Sequence, residues 1–237
     1  ETSPYWNEGE LEELRKTLPD RVYEQEIGAR FLEGDGVLFR NITKYCTEAL
    51  DEKGGSGFYG FVDLAEVTDF NAVSVFRSDG SNVRQVYCDR WNKVEWPVTL
   101  SRIANAVKRY RGTWSIDLSG QLYGDRYLND LREHGAYVDR YIFTSKSKPT
   151  LITTFEAMLD CGEVALLDPH ASPAAEIQLG ELVIFRGVKS GSGFVKYSAP
   201  PGSHDDLAIS TIAAAVLCKE DQDWDRGAAA RAMGTWG

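Results

Sequence analysis

Residues 58–76 read FYGFVDLAEVTDFNAVSVF, two apolar runs separated by a polar turn. The first run, Phe58, Tyr59, Phe61 and Val62, is nearly continuous, which suits a strand buried on both faces. It ends at Asp63, where a carboxylate is least expected inside a core. The second begins with Ala72, Val73, Val75 and Phe76. An acid at the tip of a central strand can aim its charge at a metal or substrate, and a solvated strand end accounts for it equally well.

The pattern continues as alternating elements. Strands are predicted over 58–64, 71–77 and 82–91, with a turn at 78–81. Thr99 caps an expected helix with apolar Leu100, Ile103, Ala104, Val107 and Tyr110, ended by Gly112. A fourth strand over 114–118 finishes near Asp117. Helix 124–134 stops at Gly135, strand 137–143 follows, and helix 149–161 carries Pro149 in its first turn. Segments 176–186 and 194–198 flank a glycine-rich tip at 187–193 and read as a β-hairpin or flap. After Pro200, Pro201 and Gly202, the residues His204, Asp205 and Asp206 open an alanine-rich helix over 207–218. Upstream, Leu11, Leu14 and Leu18 form a short helical pattern stopped by Pro19. The expected class is α/β, a mixed five-stranded sheet flanked by helices with an additional hairpin. The expected divisions are an arm or linker over 1–50, the main domain over 51–219 and a flexible tail over 220–237.

Composition narrows the chemistry. The 237 residues are 43% hydrophobic, enough for one substantial core, and no apolar run is long enough to span a bilayer. Cys46, Cys88, Cys161 and Cys218 are scattered and share no zinc-ligand spacing, so reduced thiols of a cytosolic protein are expected. A net charge of -10 argues against indiscriminate nucleic-acid binding. It leaves room for a nuclease, whose metal cluster is itself built from carboxylates.

With the first and fourth strands side by side, Asp63 and Asp117 project into one cleft. Asp205 and Asp206 sit at a helix N-terminus, where the dipole favours carboxylates, and capping alone would explain them. Converging with the strand-end acids, they would form an oxygen-only site suited to Mg²⁺ or Mn²⁺. Two such ions about 3.5–4 Å apart activate a water and stabilise the leaving oxygen of a phosphodiester. Asp69, and less so Glu66, could reach a metal through water, and His204 could position a water or a phosphate; each also has a plain reading as a turn or helix-flanking residue. Lys146 and Lys148, in a loop, and Lys189, near the flap tip, are candidates for DNA contact ahead of Lys108, Arg109 and Arg111.

The order GFVDLAEVTDFNAV, TWSIDLSG and APPGSHDDLAISTIAAA resembles the nuclease domain of the large terminase subunit of tailed bacteriophages. The upstream RVYEQEIGARFLEGDGVLF resembles the stretch joining that family's packaging ATPase to its nuclease. The resemblance implies a ribonuclease H-like fold and a metal-dependent endonuclease that cuts concatemeric viral DNA. It makes Asp63 and Asp117 strand ligands, Asp206 and Asp205 helix ligands, and 176–198 the family's flap. It also implies double-stranded DNA as substrate, a small terminase subunit and capsid portal as partners of the full-length protein, no membrane, and action in the host cytoplasm rather than the mature virion. No GxxxxGK[ST] phosphate loop occurs, so the packaging motor is absent and the chain is expected to be a C-terminal piece. The rival readings are another ribonuclease H-like nuclease, of resolvase or transposase type, and a non-catalytic module docking on a portal or ATPase.

Overall fold

The fold comes from a computed structural model that describes residues 37–65, 70–189 and 195–233, with side chains omitted at Lys189 and from Gln222 onward. The expected helix at 11–18, the arm up to residue 36, Glu66, Asp69 and the hairpin tip lie outside the described residues.

A seven-stranded mixed sheet forms the body. Its strands are β1 (Cys46–Glu48), β2 (Gly55–Asp63), β3 (Asn71–Asp79), β4 (Asn82–Trp91), β5 (Tyr110–Asp117), β6 (Asp139–Tyr141) and β7 (Val164–Leu167). They lie in the order β1-β7-β4-β3-β2-β5-β6. The hairpins β2–β3 and β3–β4 are antiparallel, whereas β2–β5 and β5–β6 are parallel. All five expected strands are present, and β1 and β7 extend the sheet beyond β4.

Helices α1 (Trp96–Arg109) and α2 (Gly124–Glu133) serve one face. There Val62, Val73, Ile103, Trp114, Ile116 and Leu131 form one core cluster. Helices α3 (Ser147–Asp160), α4 (Pro173–Ile184) and α5 (Asp206–Met233) cover the other, where Phe61, Phe76 and Phe155 pack with Ala213, Ala214 and Ala215. The alanines are fully buried, and their small side chains let α5 lie close against β2 and β3. Phe39 enters this core between Phe155 and Phe185, at ring distances of 5.3 Å and 5.8 Å.

Four expectations are corrected. Segment 176–186 is not a strand: Ser172 accepts a hydrogen bond from the Ala175 N–H at 3.1 Å, Pro173 opens the first turn, and the chain is helical to Ile184. The hairpin is confined to β8 (Arg186–Lys189) and β9 (Val195–Ser198). Thr99 lies inside α1, where its buried hydroxyl accepts the Trp91 indole N–H at 3.1 Å. The helix over 207–218 in turn runs on to Met233.

Gly112 does not end a helix. It lies in β5 beside a register shift of β2 between Ser56 and Phe58, and a Cβ there would fall 1.8 Å from the Phe58 carbonyl oxygen. Backbone, not a movable side chain, occupies the space. Gly112→Ala should therefore destabilise the fold by about 1–3 kcal/mol, as overpacking does. Urea unfolding should show a lower midpoint, and an unchanged midpoint would mean the two strands separate without cost.

Candidate active site

The site is built by strand register. Asp63 closes β2 and pairs in register with Asp117, which closes β5. The same row continues through Ala72 of β3 to Arg90 of β4. Register partners share a face, so Asp117, Asp63, Ala72 and Arg90 all look toward the face that α5 covers. Ala72 is the small member of the row, and Leu207 packs over it. The start of α5 thus sits above the row, with Asp206 between the acids and the arginine.

The four predicted carboxylates have different surroundings. Asp117 Oδ1 accepts both the Ser119 N–H at 2.8 Å and the Ser119 hydroxyl at 2.5 Å. Ser119 Oγ in turn accepts the Phe143 N–H at 2.7 Å, which ties this turn to the segment after β6. Asp63 has the most adverse position. Burial first, then the charges of Asp117, Asp206 and Asp205, push its carboxyl well above the ordinary value, and Lys148 opposes them. Burial also raises Asp117, against the Ser119 hydrogen bonds and Lys148. Asp206 is buried and pairs through Oδ2 with Arg90 at 3.1 Å. Asp205 caps α5: its carbonyl accepts the Ile209 N–H at 2.8 Å, and its carboxylate accepts the Ala199 N–H at 3.2 Å.

His204 joins the group, with Nδ1 3.8 Å from Asp206 Oδ2 and its ring edge-on to Phe70 at 4.8 Å. Lys148, expected in a loop, instead stands half-buried in the first turn of α3, and Lys146 is exposed just before it. Cations there oppose the helix dipole, a disadvantage that neighbouring acids or a bound anion offset. Lys189 closes β8 and its side chain is not described.

Sequence reasoning missed Ser119, Arg90 and Glu181. Glu181 of α4 lies 3.4 Å from Arg90 and accepts the Ala208 N–H at 3.0 Å, so it also satisfies a backbone donor at the start of α5. Burial pushes its carboxyl up to about 7, against the Ala208 hydrogen bond and Arg90. The Asp-x-Ser spacing at Asp117 was a usable signal for Ser119. For Arg90 the signal was a cation on the face-matching parity of a central strand.

The donor set suits a hard divalent cation, because every candidate ligand is a carboxylate oxygen and the repulsion at Asp63 is what such an ion relieves. Among the described residues no three acidic, histidine or cysteine side chains are gathered as a finished metal cluster. The third carboxylate is held by Arg90 instead.

The mixed seven-stranded sheet, with acids at the ends of its parallel pair β2–β5, has the ribonuclease H-like α/β fold of its structural neighbours. Among solved structures, the large terminase nuclease of the thermophilic phage G20c, with bound magnesium, is similar over 77% of this chain and 97% of that one, at 20% identity and a TM-score of 0.62. The nuclease domain of the Thermus phage P74-26 large terminase matches 73% of this chain and 90% of that one, at 19% identity and a TM-score of 0.57. The HK97 bacteriophage large terminase matches 76% of this chain and 43% of that longer one, at 14% identity and a TM-score of 0.58. No family model and no curated protein sequence matches.

The carboxyl shifts carry a pH dependence. Asp63 and Glu181 keep their protons in the folded state to higher pH than in the unfolded chain, so the folded state binds more protons between those values. Stability present in acid is therefore lost as pH rises from the free-carboxylate range through the raised folded values, about 7 for Glu181. With a chelator present, the melting temperature should fall between about pH 5 and 8. Asp63→Asn and Glu181→Gln should each flatten that slope and melt higher than the native chain at the alkaline end. Lower melting of Asp63→Asn at every pH would mark the carboxylate as structural.

Proposed function

We propose that this chain is a divalent-metal-dependent DNA endonuclease of the phage large-terminase kind, cutting concatemeric viral DNA during genome packaging. The observation that carries the reading is the in-register pair Asp63–Asp117 with Asp206 over it, on a fold shared with large terminase nucleases. The G20c nuclease has been solved with bound magnesium and with bound cobalt, and a site made of carboxylates favours the same class of ion here.

Asp63, Asp117 and Asp206 would hold Mg²⁺ or Mn²⁺, with two ions favoured. When bound, the ions supply an activated water and charge stabilisation for the leaving oxygen. The chain's own groups do the positioning. Ser119 fixes the Asp117 carboxylate through two hydrogen bonds, and Asp205 ties the Ala199 loop to the start of α5. Lys148, whose charge already reaches Asp63 and Asp117, is placed to meet a substrate phosphate, with Lys146 beside it. Double-stranded DNA is the proposed substrate, and a small terminase subunit and capsid portal are the proposed partners of the full-length protein in the host cytoplasm.

Supercoiled plasmid incubated with Mn²⁺ tests the reading. The native chain should nick and linearise it, and Asp63→Ala or Asp117→Ala should leave it intact while still melting cooperatively. Plasmid left whole by the native chain in both Mn²⁺ and Mg²⁺ would favour a docking module instead. Isothermal titration separates the neighbouring aspartates. Asp206→Asn should lose activity and weaken Mn²⁺ binding, whereas Asp205→Asn should slow turnover with at least one ion still bound. The reverse pattern would exchange their roles.

A further inference from the structure

Arg90 is an unusual residue to find at the centre of this arrangement. Its side chain is 9% exposed, and its partners Asp206 and Glu181 are 10% and 6% exposed. One terminal nitrogen reaches both carboxylates, at 3.1 Å and 3.4 Å. The guanidinium stacks on Phe70 at 3.5 Å from the ring centre, and His204 meets the same ring at its edge. Among the described residues, Arg90 Nε and Glu181 Oε1 are buried without a hydrogen-bond partner. A buried group of two acids and one guanidinium, with two polar atoms lacking a hydrogen-bond partner, is a poor device for stability alone, because desolvation offsets much of the attraction.

We infer that Arg90 is a positioning residue that serves as the resident counter-charge of Asp206, holding that carboxylate by one oxygen and setting how tightly the site takes a divalent cation. The inference rests on the metal-dependent nuclease reading. A cation that draws on Asp206 must share it with the guanidinium, so Arg90 lowers cation affinity while keeping the carboxylate in place. Glu181 divides the guanidinium between two acids and so loosens its hold on Asp206. The two residues act on the cation with opposite signs, which a purely structural role does not produce.

The test is Mn²⁺ titration by calorimetry on the native chain, Arg90→Gln, Arg90→Lys and Glu181→Gln, with thermal unfolding of each in chelator and in Mn²⁺. Arg90→Gln should bind Mn²⁺ about tenfold more tightly, melt lower in chelator and gain more from the ion than the native chain does. Arg90→Lys, which keeps the charge, should stay within about threefold of native affinity. Glu181→Gln should bind several-fold more weakly, because Arg90 then belongs to Asp206 alone. If Arg90→Gln does not fold, the Glu181→Gln result decides. Shifts of the same sign in both variants, or none, overturn the role of Arg90. Native binding with cleavage but without these opposed shifts leaves the nuclease reading standing. Absence of Mn²⁺ binding by the native chain removes both.

Discussion

The parallel pairing of β2 with β5 is the constraint on which the site depends. Side chains alternate across a strand, so a slip of one residue would turn Asp117 to the face that holds Ile116 and Trp114. Two glycines keep the strands close enough to hold the register. A Cβ at Gly112 would strike the Phe58 backbone, and one at Gly60 would lie 2.4 Å from the Trp114 ring. The indole of Trp114 is anchored in turn, since its N–H donates to the Tyr110 carbonyl at 2.8 Å. Parallel neighbours require a crossover, and α1 supplies it on the face opposite the acids.

The acid-bearing face is organised by a different kind of contact. Gln85 and Gln178 exchange hydrogen bonds at 2.6 Å and 2.8 Å, and Thr211 donates to Gln178 at 2.8 Å. This buried amide pair fixes α4 and α5 to β4 at one point. Glu181 lies one turn beyond Gln178, where it reaches the first turn of α5 and Arg90 together. A satisfied neutral network therefore positions an incompletely satisfied charged one. Buried polar groups without partners carry a free-energy cost, and they persist here beside the carboxylates of the candidate site.

Much of this was legible in the chain. The run ending at Asp63, the strand ending at Asp117 and the alanine-rich helix behind Asp206 each announce themselves locally, through period and through a charge where the period breaks. The helix at α4 was not legible from its own window. Ile177, Val183 and Ile184 are β-branched and β-favouring, and the deciding signals, Ser172 and Pro173, stand just before it. Strand β7 is four residues long, too short for periodicity to speak. Arg90 reads in isolation as a cation near a strand end. Its burial depends on Ala72, Phe70 and Glu181, three residues brought to it only by the fold.

On the proposed nuclease reading, the same arrangement bears on how an acidic chain would meet a polyanion. A net charge of -10 repels DNA at long range, and screening confines that repulsion to about 8 Å at physiological salt. What matters is then the local field at the sheet end, where Asp63, Asp117 and Asp206 concentrate negative charge and Arg90 and Lys148 partly offset it. Arg90 is largely buried behind Asp206 and has little surface to offer a phosphate. Lys148 is only half-buried at a helix start and can do so. The two cations thus differ in depth: Arg90 pairs with the protein's own carboxylate, and Lys148 is partly exposed, its ammonium 5.9 Å over the Phe143 ring. On the proposed nuclease reading, a divalent ion held by these carboxylates would complete the change of sign and make the acid-lined end of the sheet attractive to a phosphodiester.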